Sequence, residues 1–109
     1  MRNGYNKRWR KKQEESFMHE IKKGENKFYI GEDIKEPIAE LTFIESGKNR
    51  IVADHTYVSN ELRGQGIAGQ LVEHLVQYAR EKGKVILPEC PYVERKLKEN
   101  LDYHDVLAK

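Results

Sequence analysis

Three closely spaced glycines separate a strand-like segment from a strongly amphipathic segment, and this junction constrains the fold more than any other feature. Residues 51–58 are rich in β-branched side chains, which is typical of a strand. From Ile67 to Arg80, apolar residues recur along one helix face, at positions 67, 68, 71, 72, 75, 76 and 79. Gly83 predicts a left-handed cap that ends this helix. Glycines before a helix leave backbone N–H groups open beside the positive end of its dipole, so the junction predicts an anion site.

The chain before this junction predicts an antiparallel meander of four strands. Apolar and polar residues alternate within the segments, and turn-forming residues separate them. Ala39, Leu41 and Phe43 are expected on one face of the third strand. Turns are predicted at 23–26 and 46–49, and the four strands at 17–21, 27–30, 38–44 and 51–58.

The chain after the helix predicts a parallel strand and a second helix. Residues 85–87 are wholly apolar, which is expected of a central strand buried on both faces. A right-handed crossover would place this strand parallel to the fourth. Pro91 suits the first position of a helix on which Glu94 and Lys98 form an i,i+4 pair. The predicted fold class is therefore α+β: an antiparallel meander followed by a β-α-β crossover and a short C-terminal helix.

The length and the distribution of charge predict one domain with a basic tail. The chain has 109 residues, which fits a single domain. Residues 1–12 contain six basic residues and no acidic one, so the formal charge of +2 leaves −4 on the rest of the chain. We predict a flexible basic tail over 1–15 and a folded domain over 16–109. The tail could contact nucleic acid through its charges and through Tyr5 and Trp9, but the acidic body argues against a nucleic-acid partner.

Cysteine and histidine usage limits the remaining classes. Cys90 is the single cysteine, so an internal disulfide is excluded and a reducing, cytoplasmic location is expected. No apolar run is long enough to span a membrane, and no secretory signal is expected. The four histidines lack metal-ligand spacing, so no metal site is predicted. A monomer is the default expectation.

The glycine junction and two further segments resemble one enzyme superfamily. The junction lacks the Lys-Ser/Thr pair of a P-loop, and antiparallel strands precede it, unlike in a dinucleotide-binding fingerprint. Residues 63–68 resemble the R/Q-x-x-G-x-G/A motif of the GNAT superfamily of acyl-CoA-dependent N-acyltransferases. Residues 55–58 and 90–93 resemble the small single-domain GNAT-like subfamily with a Cys-Pro-aromatic-Val motif. The resemblance covers about residues 16–107.

This resemblance implies a GNAT fold and an acetyl-CoA-dependent N-acetyltransferase that moves an acetyl group to an amine of a small molecule or a peptide. Acetyl-CoA or CoA would bind in a V-shaped cleft between the fourth and fifth strands, and the amine would attack the thioester directly. Backbone N–H groups of the junction would hold the pyrophosphate, and the end of the fourth strand would pair with the pantetheine arm. The implied cofactor-binding residues are Tyr57, Val58, Arg63, Gly64, Gln65, Gly66, Ile67 and Ala68.

Three residues are candidates for catalysis. Cys90 precedes a predicted helix, whose dipole favours a thiolate, and the resemblance implies either a proton donor to the departing CoA thiolate or an acetyl-accepting nucleophile. Tyr92 is the second candidate acid. His55 is the candidate base, with Asp54 predicted on the opposite face of the strand. Each candidate also has a structural interpretation: a buried small thiol, a core aromatic and a hydrogen-bonded strand histidine, respectively.

The chain departs from the subfamily pattern in and after the second helix. Lys96 stands where the subfamily has an aromatic residue, and Asn-Leu-Asp-Tyr at residues 100–103 replaces its common His-Pro-Glu-Tyr. The resemblance places these positions near the CoA thiol and the acceptor. A non-catalytic CoA-binding or protein-interaction module of the same fold is therefore the alternative hypothesis, and nucleic-acid binding through the tail ranks third.

Overall fold

A computed structural model describes residues 20–108, which form one mixed sheet and two helices. The elements are β1 (Lys22–Gly24), β2 (Lys27–Ile30), β3 (Ala39–Ser46), β4 (Arg50–Val58), α1 (Ile67–Lys82), β5 (Val85–Pro88) and α2 (Pro91–Glu99), with short 3-10 segments at Asn60–Leu62 and Leu101–Val106. The sheet order is β1-β2-β3-β4-β5, with β1 to β4 antiparallel and β5 parallel to β4. The predicted α+β class is confirmed. The tail predicted over 1–15, and most of the strand predicted at 17–21, lie outside the described residues.

The antiparallel meander is confirmed, but its first turn lies later than predicted. The turn between β1 and β2 covers residues 25–26, whereas the turn was expected to begin at Lys23. Asn26 has a positive φ of 66°, a left-handed conformation that asparagine adopts more readily than most residues. The position of this asparagine therefore fixes the hairpin.

One face of the sheet carries the core. Ala39, Leu41 and Phe43 are buried there, as the alternation predicts, and α1 packs against this face. Helix α1 ends with Gly83 in a left-handed conformation, φ 68°, whose N–H donates to the last turn of the helix. This cap confirms the predicted end of the helix to within two residues. The buried stripe of α1 consists of Ile67, Leu71, Val72, Leu75, Val76 and Ala79.

The other face of the sheet is open within residues 20–108. Both helices contribute their buried residues to the one core on the α1 side. Side chains on the opposite face are correspondingly accessible, with Ile44 at 53% and Tyr57 at 41% relative exposure. Molecules can therefore approach β4 from this side, which is called the open face below.

Strand β5 lies at the edge of the described sheet, so the prediction of a central strand buried on both faces is wrong. Ile86 is fully buried, but Val85 and Leu87 are partly exposed. The C-terminal segment covers the outer edge, because Leu107 forms a bridge with Ile86 and the Ala108 N–H donates to the Ile86 C=O at 2.9 Å. The apolar residues of β5 therefore pack against the core on one face of the sheet and contact the C-terminal segment at its edge.

Helix α2 follows the predicted pattern. Pro91 is its first residue, and Val93 and Leu97 point into the core. The predicted ion pair joins Lys98 Nζ to the Glu94 carboxylate at 3.0 Å on the solvent side.

Three further features hold for the described part of the chain. None of its helices combines the length and apolar character needed to cross a bilayer. No group of three or more His, Cys, Asp or Glu side chains within it is arranged to hold a metal ion. Cys90 is a free, buried thiol.

Candidate active site

Strands β4 and β5 separate midway along β4, and this separation opens a gap. Their pairing ends at Ala53 and Pro88. The Ala53 C=O accepts the last main-chain bonds, from the N–H groups of Glu89 at 2.9 Å and Cys90 at 3.0 Å. Beyond this point the chain turns into α2, whereas β4 continues to Val58. The result is a V-shaped opening between the fourth and fifth strands.

A β-bulge lies beside this opening. The register between β3 and β4 shifts between Thr42 and Phe43, so that Asp54 is an extra residue of β4. The Thr42 hydroxyl donates to the Asp54 carboxylate at 2.7 Å, and His55 is the cross-strand partner of Thr42. Asp54 and His55 therefore share the open face. The prediction that they point to opposite faces is wrong, because strict alternation does not hold across a bulge.

The peptide groups of Thr56 and Val58 face the gap. The Ser59 N–H donates toward β3 at 2.9 Å, and peptide groups alternate in direction along an antiparallel pair. The peptide group of Tyr57 therefore pairs with β3, while those of its two neighbours point the other way. In agreement, the Val58 C=O accepts a hydrogen bond from Arg63 Nε at 3.2 Å. The predicted residue Val58, and Thr56, which sequence analysis missed, thus direct main-chain groups toward the opening, and Arg63 occupies the Val58 C=O.

The glycine junction presents a row of backbone donors. Gly64 and Gly66 have φ of 83° and 74°, and a Cβ at either position would meet no atom within 4 Å. Gly66 is the N-cap of α1, and no side chain caps the helix. Within residues 20–108, no backbone carbonyl accepts a hydrogen bond from the N–H groups of residues 64–69. These donors, together with the positive end of the helix dipole, can hold an anion.

A cleft of about 230 Å³ lies where the end of β4 meets the glycine junction, and we call it the junction cleft. Six of the eight predicted cofactor residues line it, and two do not. The Gln65 side chain donates instead to the Glu61 C=O at 3.2 Å, and Tyr57 is exposed beside the cleft. The lining residues are Val58, Leu62, Arg63, Gly64, Gly66, Ile67, Ala68 and Tyr92.

Cys90 lies at the start of α2, next to the free edge of β4. Its side chain is 8% exposed, and its Sγ lies 3.4 Å from the Thr56 hydroxyl oxygen. Cys90 is the N-cap residue of α2 but does not line the junction cleft. The thiol is thus both a buried small side chain and a neighbour of the gap-facing strand.

The Tyr92 side chain lies in the wall of the junction cleft and close to helix α1. It lines the cleft, and its hydroxyl lies 3.8 Å from the position of a Cβ added at Gly69. Burial raises the pKa of the Tyr92 phenol above its ordinary value, and the nearby Arg95 opposes this shift. The phenol therefore keeps its proton at neutral pH and can donate it.

Comparison with known proteins identifies the family to which this site belongs. A sequence model of the family described as GCN5-related N-acetyl-transferase matches residues 27–106. The chain belongs to this family. A search of curated proteins finds no significant match. Family membership confirms the predicted GNAT-like fold and indicates that the chain is an acetyltransferase.

Solved structures include proteins that are similar to this chain. The solution structure of a GCN5-like protein from Staphylococcus aureus, proposed to be an N-acetyltransferase, is 42% identical, with a TM-score of 0.71. The match covers 83% of this chain and 88% of the other. A ribosomal-protein-alanine N-acetyltransferase from Brucella melitensis biovar Abortus 2308 is 23% identical over 79% of this chain and 64% of the other, with a TM-score of 0.49.

Proposed function

We propose that this protein binds acetyl-CoA in the junction cleft and transfers the acetyl group to an amine of a small molecule or peptide. One observation carries the proposal: a strand edge with free peptide groups and a glycine-rich helix N-terminus line the same cleft in a member of an acetyltransferase family. The strand edge offers hydrogen-bond partners for the amides of the pantetheine arm, and the helix N-terminus offers donors for the pyrophosphate of the same cofactor.

The glycine junction fits a pyrophosphate. Its unpaired N–H groups supply donors, and Gly64 and Gly66 leave open space where side chains would stand. Arg63 lines the cleft with a guanidinium that is already fixed by its bond to Val58. The donors are therefore oriented before an anion arrives, so that little ordering accompanies binding.

The free edge of β4 fits the amide-containing pantetheine arm. Peptide groups on an unpaired strand edge bind extended ligands through main-chain hydrogen bonds. Thr56 and Val58 offer such groups toward the gap, and the same edge leads from the glycine junction to Cys90. We therefore assign the pantetheine contacts to the peptide groups of Thr56 and Val58.

The residues around the opening supply the proton transfers. Acetyl-CoA brings an acetyl thioester, whose carbonyl carbon forms a bond to the amine nitrogen while the bond to sulfur breaks. His55 faces the open side of β4, where it can accept the proton that the amine loses. Tyr92 in the cleft, or Cys90 beside it, can donate the proton that the departing sulfur takes up.

Thioester turnover tests the proposal. Purified protein is incubated with acetyl-CoA and a panel of amines that includes polyamines and peptides, and release of free thiol is measured. We expect thiol release that depends on the amine and that falls at least about tenfold in His55→Gln. If Tyr92 is the acid, Tyr92→Phe should show a similar loss, and if Cys90 is the acid, Cys90→Ala should show it instead. Mass spectrometry of the protein after acetyl-CoA addition should show no acetylated Cys90 if the amine attacks directly. A folded parent that does not bind acetyl-CoA would contradict the proposal.

A further inference from the structure

The open face carries apolar side chains that no other part of residues 20–108 covers. Cross-strand partners lie on the same face of a sheet, and the register links Ile44 to Val52 and Val52 to Leu87. We call these three residues the apolar strip. Ile44 is 53% exposed, and Tyr57, farther along β4 on the same face, is 41% exposed. Exposed apolar surface of this kind marks a place where another segment of polypeptide can bind.

The chain enters the sheet at the end where β4 finishes. Lys22, the first residue of β1, lies in one row across the sheet with Tyr29, Glu40 and Tyr57. Three strand spacings put Tyr57 about 14 Å from Lys22. His55 is two residues back along β4, which puts it about 16 Å from Lys22. The segment that precedes β1 is therefore attached close to the candidate base.

An acidic loop lies between this entry point and the opening. Residues 31–37 join β2 to β3, and a Cβ added at Gly24 would stand 2.6 Å from Ile34 Cδ1, so this loop lies over the open face. Three carboxylates and one lysine give the loop a formal charge of −2. The carboxylates are exposed and pair with no basic side chain of residues 20–108. They are Glu32, Asp33 and Glu36.

The basic segment, residues 1–12, complements this surface. It contains six basic side chains and no acidic one, whereas residues 20–108 contain 13 basic and 16 acidic side chains, a net charge of −3. The attraction between these charges weakens as the salt concentration rises. Trp9, in the middle of the basic segment, supplies an aromatic side chain that can pack on the apolar strip.

The lysines of the basic segment can reach the candidate base. Lys12 precedes Lys22 by ten residues, and ten residues span up to about 33 Å, which is about twice the distance from Lys22 to His55. Lys11 and Lys7 precede Lys22 by 11 and 15 residues. A lysine amine is a nucleophile once it has lost its proton, whereas an arginine guanidinium keeps its proton. The three lysines are therefore the suitable acetyl acceptors of the segment.

We propose that the basic segment docks on the open face, across the acidic loop, and that the protein acetylates the lysines of this segment. This inference rests on the proposed function, because it takes acetyl-CoA to bind in the junction cleft. The ε-ammonium first loses a proton to solvent. The amine nitrogen then forms a bond to the carbonyl carbon while the bond to sulfur breaks. His55 accepts the proton that the nitrogen loses, and the departing sulfur takes a proton from Tyr92 or Cys90, so that acetyl-lysine and CoA are the products.

Mass spectrometry of the full chain during incubation with acetyl-CoA tests the inference. Lys48, exposed in the turn at the other end of β4, reports the uncatalysed reaction. We expect the lysines of the basic segment to be acetylated at least about tenfold faster than Lys48. A tethered group has an effective concentration in the millimolar range, so the rate per chain should stay constant between about 1 and 100 μM protein.

Two paired variants test the docking. Glu32→Gln with Glu36→Gln removes two carboxylates of the acidic loop, and Glu73→Gln with Glu81→Gln removes two exposed carboxylates of α1, on the other side of the sheet. At low salt the first pair should slow acetylation of the basic segment about threefold to tenfold, because fewer charges attract it. Turnover of a small monoamine by this variant should match that of the parent. The second pair should leave both reactions unchanged.

The outcomes separate this inference from the proposed function. Acetylation of the basic segment no faster than that of Lys48, in a protein that turns over free amines, would overturn the inference alone. A rate per chain that rises in proportion to the protein concentration would overturn it as well, because transfer would then occur between molecules. Equal slowing by the two paired variants would overturn the docking across the acidic loop. Failure of the folded parent to bind acetyl-CoA would overturn the proposed function and the inference together.

Discussion

Replacement of Gly66 by alanine separates the conformational role of this glycine from its role in binding. Gly66 has φ of 74°, and Gly47, in the turn between β3 and β4, has φ of 71°. A Cβ at either position would meet nothing within 4 Å. An alanine in the left-handed region costs about 1–2 kcal/mol, and the lower entropy of the unfolded chain returns about 0.4–1 kcal/mol. Both Gly66→Ala and Gly47→Ala should therefore destabilise the protein by about 1 kcal/mol.

Binding should distinguish the two variants. Gly47 lies at the opposite end of β4 from the junction cleft, about 25 Å away at the rise of a strand. The Gly66 methyl group would stand among the N–H donors, so the affinity for CoA should fall at least about tenfold, or by ~1.4 kcal/mol. Gly47→Ala should bind CoA like the parent.

Thermal unfolding and titration calorimetry measure the two effects. The melting temperatures of Gly66→Ala and Gly47→Ala should fall together, by about 4–8 °C for a domain of this size. Equal affinities of the two variants for CoA would refute the assignment of the pyrophosphate to the glycine junction. A drop in melting temperature for Gly47→Ala alone would refute the left-handed conformation of the N-cap.

Four further substitutions test the packing, the cleft and the electrostatics. Leu97→Ala empties a fully buried position and should lower the free energy of unfolding by about 2–5 kcal/mol in urea titrations; a loss below about 1 kcal/mol would contradict its place in the core. Gly69→Ala should raise the free energy of unfolding by about 0.5–1 kcal/mol, because its Cβ would make an ordinary contact at 3.8 Å within a helix, and destabilisation would show that the site is more crowded. If Tyr92 is the acid, its raised pKa predicts that turnover is lost only above about pH 10. A pH profile of turnover for Tyr92→Phe with the same alkaline loss would assign that loss to another group. The hydrogen bond from Lys84 lowers the pKa of the Glu45 carboxyl, so the stabilisation from this bond is present above the ordinary carboxyl pKa and is lost as the pH falls through the pKa of the folded state. The difference in free energy of unfolding between the parent and Glu45→Gln should therefore shrink below about pH 4. A difference that stays constant with pH would contradict this role of Glu45.

Elements that depend on local pattern were predictable from the sequence. The stripe from Ile67 to Ala79 and the cap at Gly83 define α1, because helix periodicity and a positive φ are properties of a few neighbouring residues. Pro91 likewise marks the start of α2. The open backbone donors at the glycine junction were predictable for the same reason, since the glycines and the helix that follows them are contiguous in the chain.

Features that depend on contacts between distant segments were not predictable. The apolar run of β5 is compatible with a central strand, and only the docking of Leu107 reveals an edge. The bulge at Asp54 arises from the match between β3 and β4, so alternation alone gave the wrong face for Asp54 and missed the gap-facing Thr56. The cleft between α1, α2 and the chain that follows α2 is lined by three separate segments, so no local pattern could predict it.

Amide chemical shifts during an acetyl-CoA titration test the central claim most directly. The protein is labelled with ¹⁵N, and each backbone N–H reports on its own surroundings. The account predicts saturable shifts concentrated at Gly64, Gly66 and Ala68 of the glycine junction and at Thr56 and Val58 of the free strand edge. It predicts small shifts at Gly47, at the far end of β4. Absence of shifts at saturating acetyl-CoA, or shifts that leave the glycine junction unchanged, would contradict the account.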